Sequence, residues 1–167
     1  MESELVFERS NVIVRPVLSE LEARLLAKEL GDVDSSRPLE LQAPNLKPFL
    51  ERVWYQLLAP DLVCFFEGLP TFTVPHVVRP GKPISPRRKI GSERVLVYLP
   101  VGAGEGGDLF LPFQRWSSSR LPPGYAVEFP ETEMHGLSKL RSGQKVGLLW
   151  IATPTPEVFI KDLDGSQ

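Results

Sequence analysis

RVLVYLP at residues 94–100, DLFLPF at 108–113, YAVEF at 125–129 and VGLLWIA at 146–152 are short apolar runs that follow one another along the chain. Each contains valine, phenylalanine or tyrosine, and prolines and glycines lie between them. Apolar runs of this length, bounded by turn-forming residues, are typical of β-strands. This part of the chain is therefore predicted to be a succession of strands. Outward from it, further candidate strands cover 62–66, 71–77, 157–161 and, near the amino terminus, Asn11 to Arg15.

Two amphipathic helices are predicted in the first third of the chain. Ser19 and Glu22 have the spacing of a capping box, and leucines recur after them until Gly31. A second periodic apolar pattern begins near Asn45 and ends at Pro60. Short strands preceded by two helices favour a mostly β fold, a sandwich or a jelly-roll (cupin-like) barrel with N-terminal helices bracing one sheet.

The bulk composition favours one domain. The chain has 167 residues, 42 % of them hydrophobic, and we expect a helical support region at 1–60 followed by a β-barrel core at 61–161. The 19 basic and 21 acidic residues nearly cancel, so no overall field favours nucleic acid or an anionic membrane. Because the chain lacks a leader-like start and a long apolar run, we expect a soluble, cytoplasmic protein. The single cysteine, Cys64, is expected to be a core residue.

Residues 79–94 have a composition of their own, because RPGKPISPRRKIGSER holds six of the 19 basic residues. We interpret the segment as an exposed loop beside the mouth of a site, with 79–91 as a candidate gate. Pro83 to Arg88 also matches a proline-rich ligand pattern, but recognition by a partner module is the less favoured interpretation. The basic side chains hint at an acidic substrate, although a solvated loop is favoured over this too. They are Arg79, Lys82, Arg87, Arg88 and Lys89.

The chain has only two histidines. His76 ends a predicted strand, and His135 follows the strand at 125–129 and a turn. Lys145 comes ten residues after His135 and opens the next strand. A histidine in a β-protein is more often a hydrogen-bonded structural residue than a metal ligand, so the two positions alone do not establish a site.

The motifs around these residues resemble the carboxy-terminal core of the 2-oxoglutarate and Fe(II)-dependent oxygenases, in the prolyl 4-hydroxylase-like branch. The matching pieces are RVLVYL at 94–99, GGDLFL at 106–111, LPPGYAVEF at 121–129, HGLS at 135–138 and SGQK at 142–145. The resemblance runs from His76 to Ile151. It implies a double-stranded β-helix, Fe(II) and 2-oxoglutarate as cofactors, and hydroxylase-type oxidation of a small-molecule or peptidyl substrate.

The resemblance also implies that His76 and His135 hold the iron together with a carboxylate at position 78. Alternate residues of a strand point the same way, so position 78 shares a face with His76. The residue found there is Val78, which cannot ligate a metal. Carboxylates from elsewhere in the chain that could replace it are Asp108, Glu131 and Glu133.

Lys145 matches the lysine that binds the distal carboxylate of 2-oxoglutarate in the family, and Tyr98 matches a tyrosine that donates its hydroxyl to the same group. A buried lysine without an anion is costly, so an inward-facing Lys145 requires either an anionic ligand or a carboxylate of the protein. The alternatives are an outward-facing surface lysine and an ordinary core tyrosine.

Three functions remain open from the sequence. The favoured one is an Fe(II) and 2-oxoglutarate oxygenase with an atypical site of two histidines. A catalytically inactive binding protein of the same fold is the alternative, and Val78 is the residue that favours it. A cupin-like barrel that binds sugars or another metal is disfavoured, because no His-x-His pair followed by glutamate occurs.

Overall fold

The structure is a computed structural model, and it describes residues 7–9, 12–37, 39–58, 65–66, 69–70, 75–102, 104–143 and 145–152. The strand expected at 157–161, most of the one expected at 71–77, and Cys64 lie outside these residues. None of the helices within them is long and apolar enough to cross a membrane.

The described strands form antiparallel sheets. In chain order they are β1 (Phe7–Arg9), β2 (Val12–Pro16), β3 (Phe65–Phe66), β4 (Leu69–Pro70), β5 (His76–Val78), β6 (Ile84–Arg87), β7 (Val95–Gly102), β8 (Glu105–Gly106), β9 (Leu109–Leu111), β10 (Trp116–Ser117), β11 (Tyr125–Pro130), β12 (His135–Leu137), β13 (Leu140–Ser142) and β14 (Lys145–Ala152). The larger sheet has the order β1-β2-β11-β7-β14-β5, and the smaller one has the order β10-β9-β12-β6. The pairs β8 with β13 and β3 with β4 are separate two-stranded pieces.

The longest pairing in the larger sheet joins β7 and β14 along their full length, with Tyr98 opposite Leu149. Side chains alternate between the two faces of a strand. Leu148 and Trp150 are therefore buried on one face, while Tyr98 and Leu149 lie on the other. Both faces of this pair are covered, which explains why these strands are apolar almost throughout.

The helices cover the first face. They are α1 (Glu20–Glu29), α2 (Leu39–Gln42) and α3 (Lys47–Val53), with a 3-10 turn at Pro44–Leu46 and a π-helical turn at Trp54–Leu58. The capping box is present, because the Ser19 hydroxyl accepts from the Glu22 amide at 3.1 Å and the Glu22 carboxylate accepts from the Ser19 amide at 3.0 Å. Trp54 stacks on Trp150 with ring centroids 6.2 Å apart, and so it joins the helical layer to the sheet.

The smaller sheet covers the second face. Val127 and Phe129 of β11 share a buried cluster with Leu109 and Leu137, which belong to the smaller sheet. The described chain is therefore arranged in three layers: helices, the larger sheet and the smaller sheet. The space between the two sheets is where the candidate site lies.

The expectation that 79–94 is a loop throughout was wrong. Ile84–Arg87 forms strand β6 at the edge of the smaller sheet, where it pairs with β12. A loop was predicted because the segment is rich in basic residues and proline, and Pro86 lies within the strand itself. Proline is tolerated on an edge strand, where one side makes no ladder hydrogen bonds.

Candidate functional site

A cavity of about 410 Å³ opens between the two sheets. Most of its wall is apolar, with contributions from both sheets: Ile84, Leu96, Leu109, Phe129, Leu149 and Ile151. Five lining residues carry polar groups: Arg87, Lys89, Tyr98, Glu131 and His135. A cavity of this size, with an apolar wall and few polar groups, has the character of a small-molecule site.

His135 lies at this cavity and is half-buried. It begins β12, where it pairs with Arg87 of β6, and its ring packs against Phe129 with centroids 5.1 Å apart. The ring nitrogen Nδ1 lies 2.7 Å from the carbonyl oxygen of Glu133. In the neutral form Nδ1 therefore donates to that carbonyl, which leaves Nε2 as the acceptor nitrogen.

His76 does not line this cavity. It is the exposed first residue of the edge strand β5, whereas Val78, two residues later, is half-buried and lines the cavity. Position 78 thus faces the cavity that His135 lines, and its side chain is apolar. In the part of the chain that the structure describes, no group of three histidine, cysteine or carboxylate side chains is close enough to hold a metal ion.

Tyr98 lines the cavity from the larger sheet and is 3 % exposed. Among the described residues, no group lies within hydrogen-bond distance of its hydroxyl. Burial, and secondarily the negative charge of Asp108, raise the pKa of Tyr98, so the hydroxyl keeps its proton and can donate it in a hydrogen bond. Gly147 leaves room for the ring, because a Cβ there would lie 2.5 Å from a ring carbon of Tyr98.

Lys145 has a carboxylate of the protein as its partner. Its Nζ lies 2.6 Å from Oδ1 of Asp108, and the two side chains are only 13 % and 11 % exposed. Both residues line a second cavity, of about 200 Å³, rather than the one that His135 lines. Asp108 is thus engaged with Lys145, and Glu133, the other proposed third ligand, accepts a hydrogen bond from Gln114 at 3.0 Å.

Glu131 also lines the main cavity, but its charge is compensated. Arg94 donates to both carboxylate oxygens, at 2.8 and 2.7 Å, and the Ser92 hydroxyl donates to one of them at 2.6 Å. The hydrogen bonds from Arg94, which are the largest cause, lower the pKa of Glu131 to about 2. The carboxylate is therefore ionised at neutral pH and already bound from within the protein.

The basic residues of 79–89 divide into different roles. Arg79 donates to the backbone carbonyls of Leu30 and Val33, so it supports the end of α1, and it does not line the main cavity. Arg87 and Lys89 line the main cavity. The sequence placed the whole basic segment beside the mouth of a site but did not single out these two, since nothing in the composition shows that β6 pairs beside His135.

No protein-family profile matches the sequence, and no curated protein matches it. Solved structures do match. A viral collagen prolyl hydroxylase from Paramecium bursaria Chlorella virus-1, in its 2-oxoglutarate complex, aligns over 87 % of this chain and 97 % of its own, with 14 % identity and a TM-score of 0.55. A truncated form of the same enzyme aligns over 92 % and 99 %, with 14 % identity and a TM-score of 0.58. The chain has the prolyl hydroxylase fold. At this identity the likeness concerns the fold alone.

The ion pair between Asp108 and Lys145 is expected to stabilise the fold through direct coupling. Asp108→Asn and Lys145→Met should each lower the free energy of unfolding, because each leaves its partner unpaired and mostly buried. The double variant should lose less unfolding free energy than the two single variants together, and the coupling free energy should be about 1–3 kcal/mol. Urea unfolding of the wild type and the three variants measures it. Simple additivity would show that the two charges do not depend on each other.

The Glu131 carboxylate is expected to give a pH-dependent contribution to stability. Because its pKa in the folded protein is about 2, below the ordinary value of 4.5, the contribution is complete above pH 4.5 and is lost as the pH falls towards 2. Glu131→Gln should therefore lower the free energy of unfolding by about 1 kcal/mol at pH 7 and by much less near pH 2. The loss at pH 7 is this small because Arg94 is partly exposed to solvent. Urea unfolding across this range is the measurement, and Glu93→Gln, at an exposed position, is the control.

Proposed function

We propose that this protein binds a small, largely apolar molecule in the cavity between its two sheets and works without an iron centre. In this proposal the sheets close as a double-stranded β-helix around the ligand. The observation that carries the proposal is the half-buried Val78 at the cavity wall, two residues after an exposed His76. The protein corresponds to the inactive binding protein that the sequence left as an alternative.

The residues present do not fit Fe(II). A stable non-haem iron site of this type uses two histidines and a carboxylate on one face of the metal. Here His135 is the one histidine at the cavity, and Val78 supplies a hydrocarbon where a carboxylate is required. Glu131 lines the same cavity, but Arg94 and Ser92 already occupy its oxygens.

The residues present do not fit 2-oxoglutarate either. Lys145, the cation expected to receive its distal carboxylate, is bound at 2.6 Å by Asp108. An incoming carboxylate would have to break this charge-assisted hydrogen bond, which contributes about 1.5–3 kcal/mol, and leave Asp108 mostly buried without a partner. The chain's own carboxylate therefore occupies the cation.

The cavity walls explain how an apolar ligand would bind. Transfer of hydrocarbon from water to such a cavity contributes about 0.8 kcal/mol for each buried CH₂ group. The Tyr98 hydroxyl is a buried donor that can satisfy one acceptor atom of the ligand, and Nε2 of His135 can accept from one donor. The ligand we propose is thus mostly hydrocarbon, with a small number of polar atoms.

The oxygenase is the second candidate, and one observation favours it. His76 lies on the same face of β5 as Val78, and Val78 and His135 line one cavity. This candidate requires the His76 side chain to turn towards that wall and join His135, with Tyr98 and Lys145 for the oxoacid. In that case the substrate would be a small molecule or a peptide.

Binding of a neutral apolar probe tests the proposed function. N-phenyl-1-naphthylamine should bind with a rise in fluorescence, because the cavity wall is apolar. Val78→Phe fills part of the cavity and should weaken the probe at least tenfold. Ile90→Phe is the matched control, since Ile90 is 81 % exposed and outside the cavity, and it should bind as the wild type does.

Thermal unfolding of both phenylalanine variants establishes that they remain folded. Absence of probe binding to the wild type, or equal binding by wild type and folded Val78→Phe, would exclude the cavity as a binding site.

Anaerobic titration with Fe(II) and 2-oxoglutarate separates the two candidates. We expect no charge-transfer absorption from the wild type, because the carboxylate ligand is missing. Val78→Asp should raise the affinity for Fe(II) by about tenfold or more, because it places a carboxylate at the wall that His135 lines. Val78→Asn, of the same shape and without charge, should not. A charge-transfer band from the wild type would support the oxygenase and contradict our proposal.

A further inference from the structure

The mouth of the main cavity carries more positive than negative charge. Arg87 and Lys89 line the cavity on one side, and the backbone amide of Lys89 donates to the carbonyl oxygen of Glu131 at 3.0 Å. Arg94 and Glu131 lie at the same end, where they form their ion pair. This end of the cavity therefore has three cations and one carboxylate, and that carboxylate already has its hydrogen bonds from Arg94 and Ser92.

Arg87 and Lys89 form no ion pair within 4.0 Å among the residues that the structure describes, although the charge of Lys89 helps to lower the pKa of Glu131. Their neighbour Arg88 behaves differently, since its guanidinium lies over the Phe113 ring, 5.7 Å from the centroid, and it does not line the cavity. Arg87 and Lys89 can thus bind an anion at the cavity mouth without breaking an ion pair among the described residues.

The interior of the cavity is apolar from this mouth inward. Leu96 pairs with Phe129 close to the mouth, and Tyr98 follows two residues deeper along β7, roughly 7 Å further at the strand rise. The Tyr98 ring lies over Gly147 of β14 and lines the cavity, and its hydroxyl has no partner among the described residues. The cavity therefore has a cationic mouth, largely hydrocarbon walls, the His135 ring beside Arg87 and the Tyr98 donor at depth.

We propose that the ligand is an amphipathic anion, a carboxylate or a related acid whose head binds Arg87 and Lys89 and whose apolar chain or ring lies between the sheets. This inference rests on the proposed function and specifies its ligand. Charge complementarity excludes an apolar cation as the natural occupant, because Arg87, Lys89 and Arg94 would repel it. The exposed heads of the two cations orient the acid, and the walls provide the affinity.

The test compares decanoate with decanol as competitors of N-phenyl-1-naphthylamine at pH 7.5 and low salt. The two compounds have the same chain and differ in the charge of the head. Decanoate should bind the wild type more tightly than decanol, and added salt should reduce the difference. Arg87→Gln/Lys89→Gln should weaken decanoate about tenfold and change decanol less than twofold.

Lys82→Gln/Arg88→Gln is the matched control, because it removes two charges from the same segment at positions that do not line the cavity. It should leave decanoate within about twofold of the wild type. Equal loss of decanoate affinity in both double variants would mean that net charge alone acts, and it would overturn the inference. So would equal affinity of decanoate and decanol, or failure of both to displace a bound probe. If the probe itself does not bind, the proposed function fails as well.

Discussion

The antiparallel pairing of β7 with β14 is the constraint on which the rest of the structure depends. With Tyr98 opposite Leu149, every even-numbered residue from Val146 to Ala152 points to the helices, and the odd-numbered ones point to the smaller sheet. A slip of β14 by one residue against β7 would send Trp150 into the cavity and Leu149 into the helical layer, because the side-chain period of a strand is two. The helical core and the cavity wall are thus two consequences of one register.

The ion pair of Lys145 with Asp108 follows from the same register. Lys145 lies on the face of β14 that points to the smaller sheet, where a mostly buried lysine without an anion would be costly. Asp108 precedes β9 of the smaller sheet, and its backbone is held by Ser138 through hydrogen bonds in both directions, each of 2.9 Å. The fold therefore satisfies the cation with its own carboxylate. Lys145, which the resemblance connects with an oxoacid, is thus bound by a carboxylate of the protein itself.

The polar groups around the main cavity differ in how far the protein has satisfied them. Glu131 is held by Arg94 and Ser92, and Nδ1 of His135 by a backbone carbonyl. The Tyr98 hydroxyl and the charges of Arg87 and Lys89 have no comparable partners among the described residues. Groups that the fold leaves unsatisfied beside an apolar cavity are the ones a ligand can use, because they cost nothing in lost internal bonds.

The sequence by itself determined the helix start at Ser19, the long strands β7, β11 and β14, and the mostly β class, because capping and apolar runs are local properties. The likeness of motifs also indicated the prolyl hydroxylase fold. Tertiary structure alone decided the short strands, the partner of Lys145 and the exposure of His76. Strands of two to four residues carry too little periodicity to be recognised. Strand β6 also lacks an alternation of apolar and polar residues, because all four of its residues are exposed, and it contains Pro86. Which side chains meet across two sheets depends on registers between distant segments, such as Asp108 with Lys145, and no local pattern records those registers.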